Sequence, residues 1–374
     1  MRLFGWKGAP GSARPALLRP LGGGVVQGEW PRSYEAQLRE AYVGNAIAQR
    51  AVRIVAEGAG GTPVLANVAE VARLVRTTSA GQGLIETLAM QLLLHGNGYV
   101  QIVRDGGDRP AELFALRPER VTIEPGADGW PLAYRYRAGE RTARLPVRDG
   151  TGKPALIHVR AANPVDDHYG LGCLAAAAGA VAIHNAATRW NKALLDNAAR
   201  PSGALVYEPG EGARLSAEQY RRLREEMEAS FSGAGNAGRP MLLEGGLRWQ
   251  AMSLTPADMD FVGLKAAAAR EIALAFGVPP LLLGLPGDNS YANYAEANRA
   301  VWRQTILPLL DKILGAIAQG LAAWWPELTL AVERDAIPAL AEDRARLWAQ
   351  VEQASFLSEP EKRRMVGLPE RPVA

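Results

Sequence analysis

One cysteine, Cys173, stands in 374 residues, which excludes an intrachain disulfide framework and points to synthesis in a reducing compartment. Long hydrophobic runs are missing too. The longest uncharged apolar stretch, Leu171 to Ile183, is alanine-rich and falls short of the roughly 20 residues that a membrane span needs. The amino end carries Arg2 and Lys7 without a continuous hydrophobic region, so no signal peptide is expected. The product is expected to be soluble and intracellular when made, with no membrane partner. Charge of one sign is scarce: 42 Lys and Arg against 39 Asp and Glu leave a formal net charge of +3. That is too little for a dedicated nucleic-acid binder of this size. It does not exclude a protein that must let DNA slide, because each neutralised phosphate adds binding that resists movement.

Motifs for chemistry are equally sparse. There is no G-x-S-x-G, no P-loop and no His in evidence as a partner for Cys173, so neither catalysis nor a cofactor is expected. The nearest thing to a nucleotide motif is Gly170-Leu171-Gly172-Cys173-Leu174-Ala175, a G-x-G-x-x-A pattern between a strand and a helix. It keeps an NAD-binding oxidoreductase as the alternative function. A Rossmann fingerprint, however, opens immediately after its strand, so that the helix N-terminus meets pyrophosphate. Here the strand ends near Arg160, a loop intervenes, and Glu208 comes later than a ribose-binding acid would. Close packing of a helix start on its neighbour explains the small residues better. Asp166, Asp167 and His168, with His158 nearby, are the metal candidates. Adjacent residues rarely converge on one ion and no further Cys or His lies at ligand spacing, so a solvated loop is expected instead of a metal site. His95 closes a helix, where a partial positive charge or a hydrogen bond accounts for it. His184 sits inside a long helix as a packing or subunit-contact residue.

What is present is an ordered succession of elements. Residues 1–33, rich in Gly, Pro and Arg, are expected to form a flexible arm. Helical spacing runs from Tyr34 to Ala59 and again from Gly83 to His95, stopped by Gly96-Asn97-Gly98. Strands are expected at Tyr99–Arg104, Leu113–Leu116, Val121–Glu124, Leu132–Arg137 and Ala155–Arg160, separated by turn clusters as in antiparallel meanders. A long Ala-rich helix covers Gly172–Ala199, about 40 Å if unbroken, and Arg200-Pro201 closes it. A compact α/β insert follows: strand Ala204–Tyr207, helix Ser216–Ser230 with a Ser216/Gln219 capping box, and strands Pro240–Leu243 and Trp249–Met252. Thr255, Pro256 and Asp258 then begin a helix over Ala257–Phe276. Two short amphipathic helices lie between Ala336 and Gly367. Trp302, Trp324 and Trp325 are expected in core or subunit packing in preference to DNA stacking. The run Arg221–Glu228 alternates in sign, which fits a solvated helix face or a pairing with an adjacent subunit.

The most informative stretch is Glu271 to Leu310, EIALAFGVPPLLLGLPGDNSYANYAEANRAVWRQTILPLL. Phe276-Gly277 predicts a left-handed cap, and Pro279-Pro280 forbid continuation of the helix. Leu281–Leu285 is a short apolar anchor and Pro286–Ser290 a mobile turn-forming loop. A second helix starts near Asn293 and runs until Pro308 kinks or breaks it. This stretch resembles the tunnel-loop region of bacteriophage portal proteins of the Hong Kong ninety-seven-like family. HGNGYV at 95–100, LRPERVTI at 116–123, YGLGCL at 169–174, NAARPSGAL at 197–205, GRPMLLEGGLRW at 238–249 and GVPPLLLG at 277–284 extend the resemblance over about residues 35–370.

The resemblance implies an α+β portal fold in the order found here. After the arm at 1–33 come a mixed α/β wing at 34–170, stem helix 1 at 171–199, a small α/β clip at 200–253 and stem helix 2 at 254–277. The tunnel loop at 278–292, the channel helix at 293–325 and a C-terminal wing with a short helical crown at 326–374 follow, the crown resembling those of gene transfer agents. It further implies a ring of twelve at one capsid vertex of a virion, made in a host bacterial cytoplasm, through which double-stranded DNA is packaged and leaves. The implied partners are other copies of the chain, DNA, the large terminase subunit, a head–tail adaptor and the major capsid protein. Twelve helices about 10 Å apart enclose a bore of roughly 28 Å, wider than a DNA duplex. Asp288, Asn289, Ser290, Tyr291 and Asn293 are expected in that bore, where short polar side chains contact DNA without gripping it. Arg221, Arg222, Glu225 and Arg239 are the expected docking residues of the clip.

Overall fold

A computed structural model describes residues 33–79, 81–196, 203–207, 216–231, 247–251, 260–285 and 291–367. The chain divides into two units, one comprising residues up to 178 together with those from 273 onward, the other residues 179–272. The expected arm, the strand at Pro240–Leu243 and the helix start at Thr255, Pro256 and Asp258 lie outside the described residues.

The first unit opens with α1 (Tyr34–Leu38), a π-helical turn at Arg39–Val43 and α2 (Ala46–Gly60). The side-chain oxygen of Asn45 caps α2, accepting from the N–H groups of Ile47 and Ala48 at 3.1 and 3.0 Å, which satisfies two donors that a helix start otherwise leaves open. β1 (Val64–Ala66), α3 (Ala69–Arg76), β2 (Thr78–Ser79), β3 (Gln82–Gly83) and α4 (Leu84–Leu94) follow. α2 buries Ala48, Ala51, Val52, Val55, Ala56 and Ala59, a stripe with helical period. α4 buries Leu84, Ile85, Leu88, Ala89, Leu92, Leu93 and Leu94. A helix so apolar has to sit inside, and α4 packs between α2, a C-terminal helix described below and the sheet that follows it.

That sheet begins with β4 (Asn97–Arg104) and β5 (Pro110–Leu116), after which β6 (Val121–Pro125), β7 (Pro131–Ala138), β8 (Arg141–Pro146) and β9 (Leu156–Arg160) complete two antiparallel three-stranded sheets. One has the order β6-β7-β8, a meander as expected; the other is β5-β4-β9, in which β9 returns from the far side of the second sheet to pair with β4. β8 was not foreseen, because RTARLP carries no hydrophobic alternation. Tyr99, Leu116, Val121, Ile123, Tyr134 and Leu156 form the core where the two sheets meet. Each such side chain, fully buried, contributes about 1.5–3 kcal/mol of transfer free energy.

α5 (Cys173–Asp196) is a single helix of 24 residues, about 36 Å long at the standard rise. The second unit holds its continuation from residue 179, the antiparallel pair β10 (Gly203–Tyr207) and β11 (Leu247–Ala251), α6 (Ala217–Phe231) and most of α7 (Phe261–Ala275). The expected capping box on α6 is formed in both directions: the Ser216 N–H donates to Gln219 Oε1 at 2.9 Å and the Gln219 N–H to Ser216 Oγ at 3.2 Å. Trp190 of α5 stacks on Phe261 of α7 with ring centroids 5.9 Å apart.

The chain then re-enters the first unit through α8 (Tyr291–Val301), a π-helical turn at Trp302–Ile306, α9 (Leu307–Leu321), β12 (Leu330–Val332), α10 (Ala341–Gln353) and α11 (Glu359–Met365). α9 buries Leu307, Leu310, Ile313, Leu314, Ile317 and Leu321 and is the C-terminal helix that covers α4 and β9. β12 pairs antiparallel with β1, Val64 opposite Val332. Among the described residues no helix is long and apolar enough to cross a membrane.

Candidate channel loop and its base

Residues 286–290, expected to form the channel loop, lie outside the described residues, and both of their flanks are described. On the incoming side α7 ends in a Schellman motif: Gly277 has φ +65°, its N–H donates to the Leu274 carbonyl at 3.0 Å, and the Val278 N–H reaches the Ala273 carbonyl at 2.9 Å. A left-handed residue there requires glycine. Phe276 beside it is buried and fixes the exit direction. Pro280–Leu283 then forms one 3-10 turn, ended by Gly284.

On the outgoing side α8 starts at Tyr291, so the helix begins slightly earlier than expected. Pro308 does not break it. A proline inside a helix clashes with the carbonyl four residues back, and the π turn at 302–306 widens the helix there, placing Pro308 in the first turn of α9. The same turn supports the loop base: Thr305 Oγ1 donates to the Gly277 carbonyl at 2.7 Å. Arg299 of α8 pairs with Glu296 at 2.5 Å and with Glu342 of α10, and Arg303 pairs with Asp343. Thr305, Arg299 and Glu342 were not singled out from sequence, because their role depends on contacts 28 and 43 residues away. Of the expected bore residues, Asp288, Asn289 and Ser290 lie outside the described residues. Tyr291 and Asn293 sit on the first turn of α8, where Asn293 is exposed.

The expected docking residues Arg221, Arg222 and Glu225 are all exposed on α6, and Arg222 pairs with Glu218 at 2.8 Å. Arg239 lies outside the described residues.

The G-x-G segment proves to be a packing device. Gly96 has φ +82°, and a Cβ on Gly170 would stand 2.0 Å from the Gly96 carbonyl oxygen, while one on Gly172 would stand 2.6 Å from that of Leu94. Backbone fills the space that a pyrophosphate would need. The polar groups are taken as well. Buried Asn97 accepts from the Gly170 N–H at 2.7 Å and donates to the Gly170 carbonyl at 3.1 Å. It also bonds His158 Nε2 at 3.0 Å through its oxygen and His95 Nδ1 at 3.1 Å through its nitrogen. Asn97 therefore forces His95 to act as an acceptor, and burial lowers the pKa of this ring; hydrogen bonding rather than positive charge accounts for it. His158 stacks on Tyr99 at 4.4 Å, and burial pushes its pKa down to about 3.

The loop at 166–168 is less solvated than expected. His168 is buried, and the Asp166 carboxylate is occupied as a turn cap, accepting from the N–H groups of His168 and Tyr169 at 2.7 and 2.9 Å. Among the described residues no group of three His, Cys, Asp or Glu side chains could hold a metal ion. Burial raises the Cys173 thiol pKa, the opposite of nucleophile activation. Trp324 is a structural residue: its Nε1 donates to the Asp108 carbonyl at 2.8 Å and its ring lies under Arg104 and Lys153.

Against this geometry, the family model described as phage portal protein matches residues 45–367. The chain belongs to the phage portal protein family. Its relatives include an uncharacterized protein of Rickettsia bellii, 40% identical over 88% of each chain. The portal protein of Enterobacteria phage HK97 is 24% identical over 63% of this chain and 53% of its own length. Among solved structures, a chain in the neck of a native gene transfer agent particle, computed with C12 symmetry, is 48% identical with TM-score 0.71, covering 93% of this chain and 97% of that one. An HK97-family phage portal protein from Corynebacterium diphtheriae shares the fold at TM-score 0.60 and 16% identity, covering 83% and 99%.

Proposed function

We propose that twelve copies of this portal-family chain close into a ring that conducts double-stranded DNA at one vertex of a phage or gene transfer agent capsid. The observation that carries this is the likeness, nearly end to end, to a chain in a neck of twelve-fold symmetry. A closed ring needs heterologous contacts, so each subunit presents two different faces. Residues 34–170 and 326–374 form the wing and short crown, α5 and α7 the two stem helices, and 200–253 the clip that docks the large terminase subunit and then the head–tail adaptor. Wing surfaces meet the major capsid protein. The loop at 278–292 enters the bore, with Asp288, Asn289, Ser290, Tyr291 and Asn293 nearest the DNA. Its base, locked by Gly277, Thr305 and the Arg299 ion pairs, supports the proposal by giving a short polar loop a stiff mount. ATP hydrolysis falls to the terminase, since this chain carries no P-loop.

Negative-stain microscopy of the purified protein tests the ring, with particles showing a central hole as the expected result. Compact monomers or dimers at every concentration would refute it.

A further inference from the structure

One hairpin of this chain carries a dense local excess of positive charge. Between residues 135 and 144 stand four arginines, Arg135, Arg137, Arg141 and Arg144, against one glutamate, Glu140. Their balance is +3 within ten residues. The hairpin is the far end of β7 and β8. Every residue from Arg137 to Arg144 is exposed, so this two-stranded ribbon extends past its own core, and β8 is an edge strand.

Edge protection by charge explains part of this, since exposed strands are commonly blunted by charged side chains. It does not explain the arrangement. Arg135 lies directly opposite Arg144 in the register, a like-charge cross-strand pair that is itself destabilising. One carboxylate offsets both: Glu124 accepts from Arg144 at 3.1 and 3.2 Å and from Arg135 at 3.4 Å. Arg137 and Arg141 have no acidic partner among the described residues. The Arg137 Nε makes only a 3.4 Å contact with the Gly139 carbonyl. Two forked guanidinium groups thus stand on an exposed two-stranded ribbon with no carboxylate among the described residues paired with them.

We propose that the β7–β8 ribbon is a second contact for double-stranded DNA, separate from the channel loop, in which Arg137 and Arg141 engage backbone phosphates. Guanidinium matches phosphate in charge and in bidentate geometry, and such a contact is independent of base sequence. The choice of duplex DNA over another polyanion rests on the portal reading above.

The test is duplex binding by the purified full-length protein, followed by fluorescence anisotropy with a labelled random-sequence duplex across a salt series. The double variant Arg137→Gln/Arg141→Gln should bind about tenfold more weakly at low salt, and its log K against log salt slope should be shallower by about 2 for each ribbon engaged. Arg137→Lys/Arg141→Lys should keep most of the binding. If the double variant does not fold, Arg141→Gln alone, at the turn end, should flatten the slope by about 1. Unchanged affinity and slope in a folded variant, or no duplex binding by the parent protein at low salt, would overturn the proposal. So would unchanged DNA binding accompanied by loss of ring or particle assembly, which would make the ribbon a protein contact. Rings seen in the same samples by microscopy keep a failure here distinct from a failure of the portal reading.

Discussion

Asn97 ties together stretches of chain 61 and 73 residues away from it, and the first unit depends on that node. Asn97→Ala would strand the Gly170 N–H and carbonyl and the His158 ring in a buried place, at about 1–3 kcal/mol for each group left unpaired. The expected outcome is a loss of at least about 3 kcal/mol in urea unfolding. His158 adds a pH dependence whose sign is fixed. Its folded pKa, about 3, lies below the ordinary value near 6.5, so between those limits the unfolded chain binds a proton that the folded chain refuses. Stability is whole above pH ~6.5 and falls as the solution is acidified, by about 2 kcal/mol between pH 7 and pH 5 from this group. Denaturant titrations of the parent and His158→Gln at both pH values check it; equal pH slopes would refute the assignment. Little of this was legible beforehand. The sequence marks Gly96-Asn97-Gly98 as a helix stop and the G-x-G as a place for close packing, but which buried groups meet there is decided by β9 and the 161–170 loop folding back.

At the scale of elements, most helices were read because their apolar positions recur with helical period: α4, α5 and α6 lie within a few residues of their expected spans, and α10 and α11 fall in the stretch expected to hold two short helices. The single helix expected over Tyr34–Ala59 is instead α1, a π turn and α2, divided at Gly44-Asn45, and α3 was not foreseen. Strands with alternation or flanking turns were read too. β1, β2, β3, β8 and β12 were not, β2 and β3 being two residues each. β1 and β12 are three residues each, too short for a period, and β8 shows polar side chains on both faces. The π turn escaped for a different reason: Pro308 signals an interruption, and the neighbouring helices decide whether the chain breaks or widens. That turn makes its own prediction. Thr305→Val removes the hydrogen bond to the Gly277 carbonyl, at about 1 kcal/mol, without altering the side chain's shape. Amide exchange should quicken over residues 277–285 while α2 and α4 keep their protection. Unchanged exchange at the loop base would show that Gly277 holds itself.

For the whole molecule, the alternation of a mixed α/β body, a long helix and later helices was legible among the described residues, since Pro, Gly and composition shifts mark many of the boundaries. The ring entered only as what the resemblance implies, because a heterologous interface is a property of two surfaces and one chain displays only half of each pair. The proposed clip gives the test at this scale. Replacing residues 200–253 by a short Gly/Ser linker should leave the first unit folded, its own core lying wholly in the segments up to 178 and from 273 onward. Particles built with that variant should package no DNA, measured as nuclease-protected DNA; normal packaging would sink the docking assignment.

Because Val64 finds its strand partner only at Val332, and α4, already packed on α2, β4 and β5, gains the last of its cover from α9, the first unit cannot close until residue 332 has been made. At ribosomal speeds of roughly 5–20 residues per second, the delay between the two strands is on the order of tens of seconds. The intervening unit emerges complete before then. During that wait the face of α4 that α9 covers stands open, so the yield of folded protein should follow the pace of translation between residues 94 and 332.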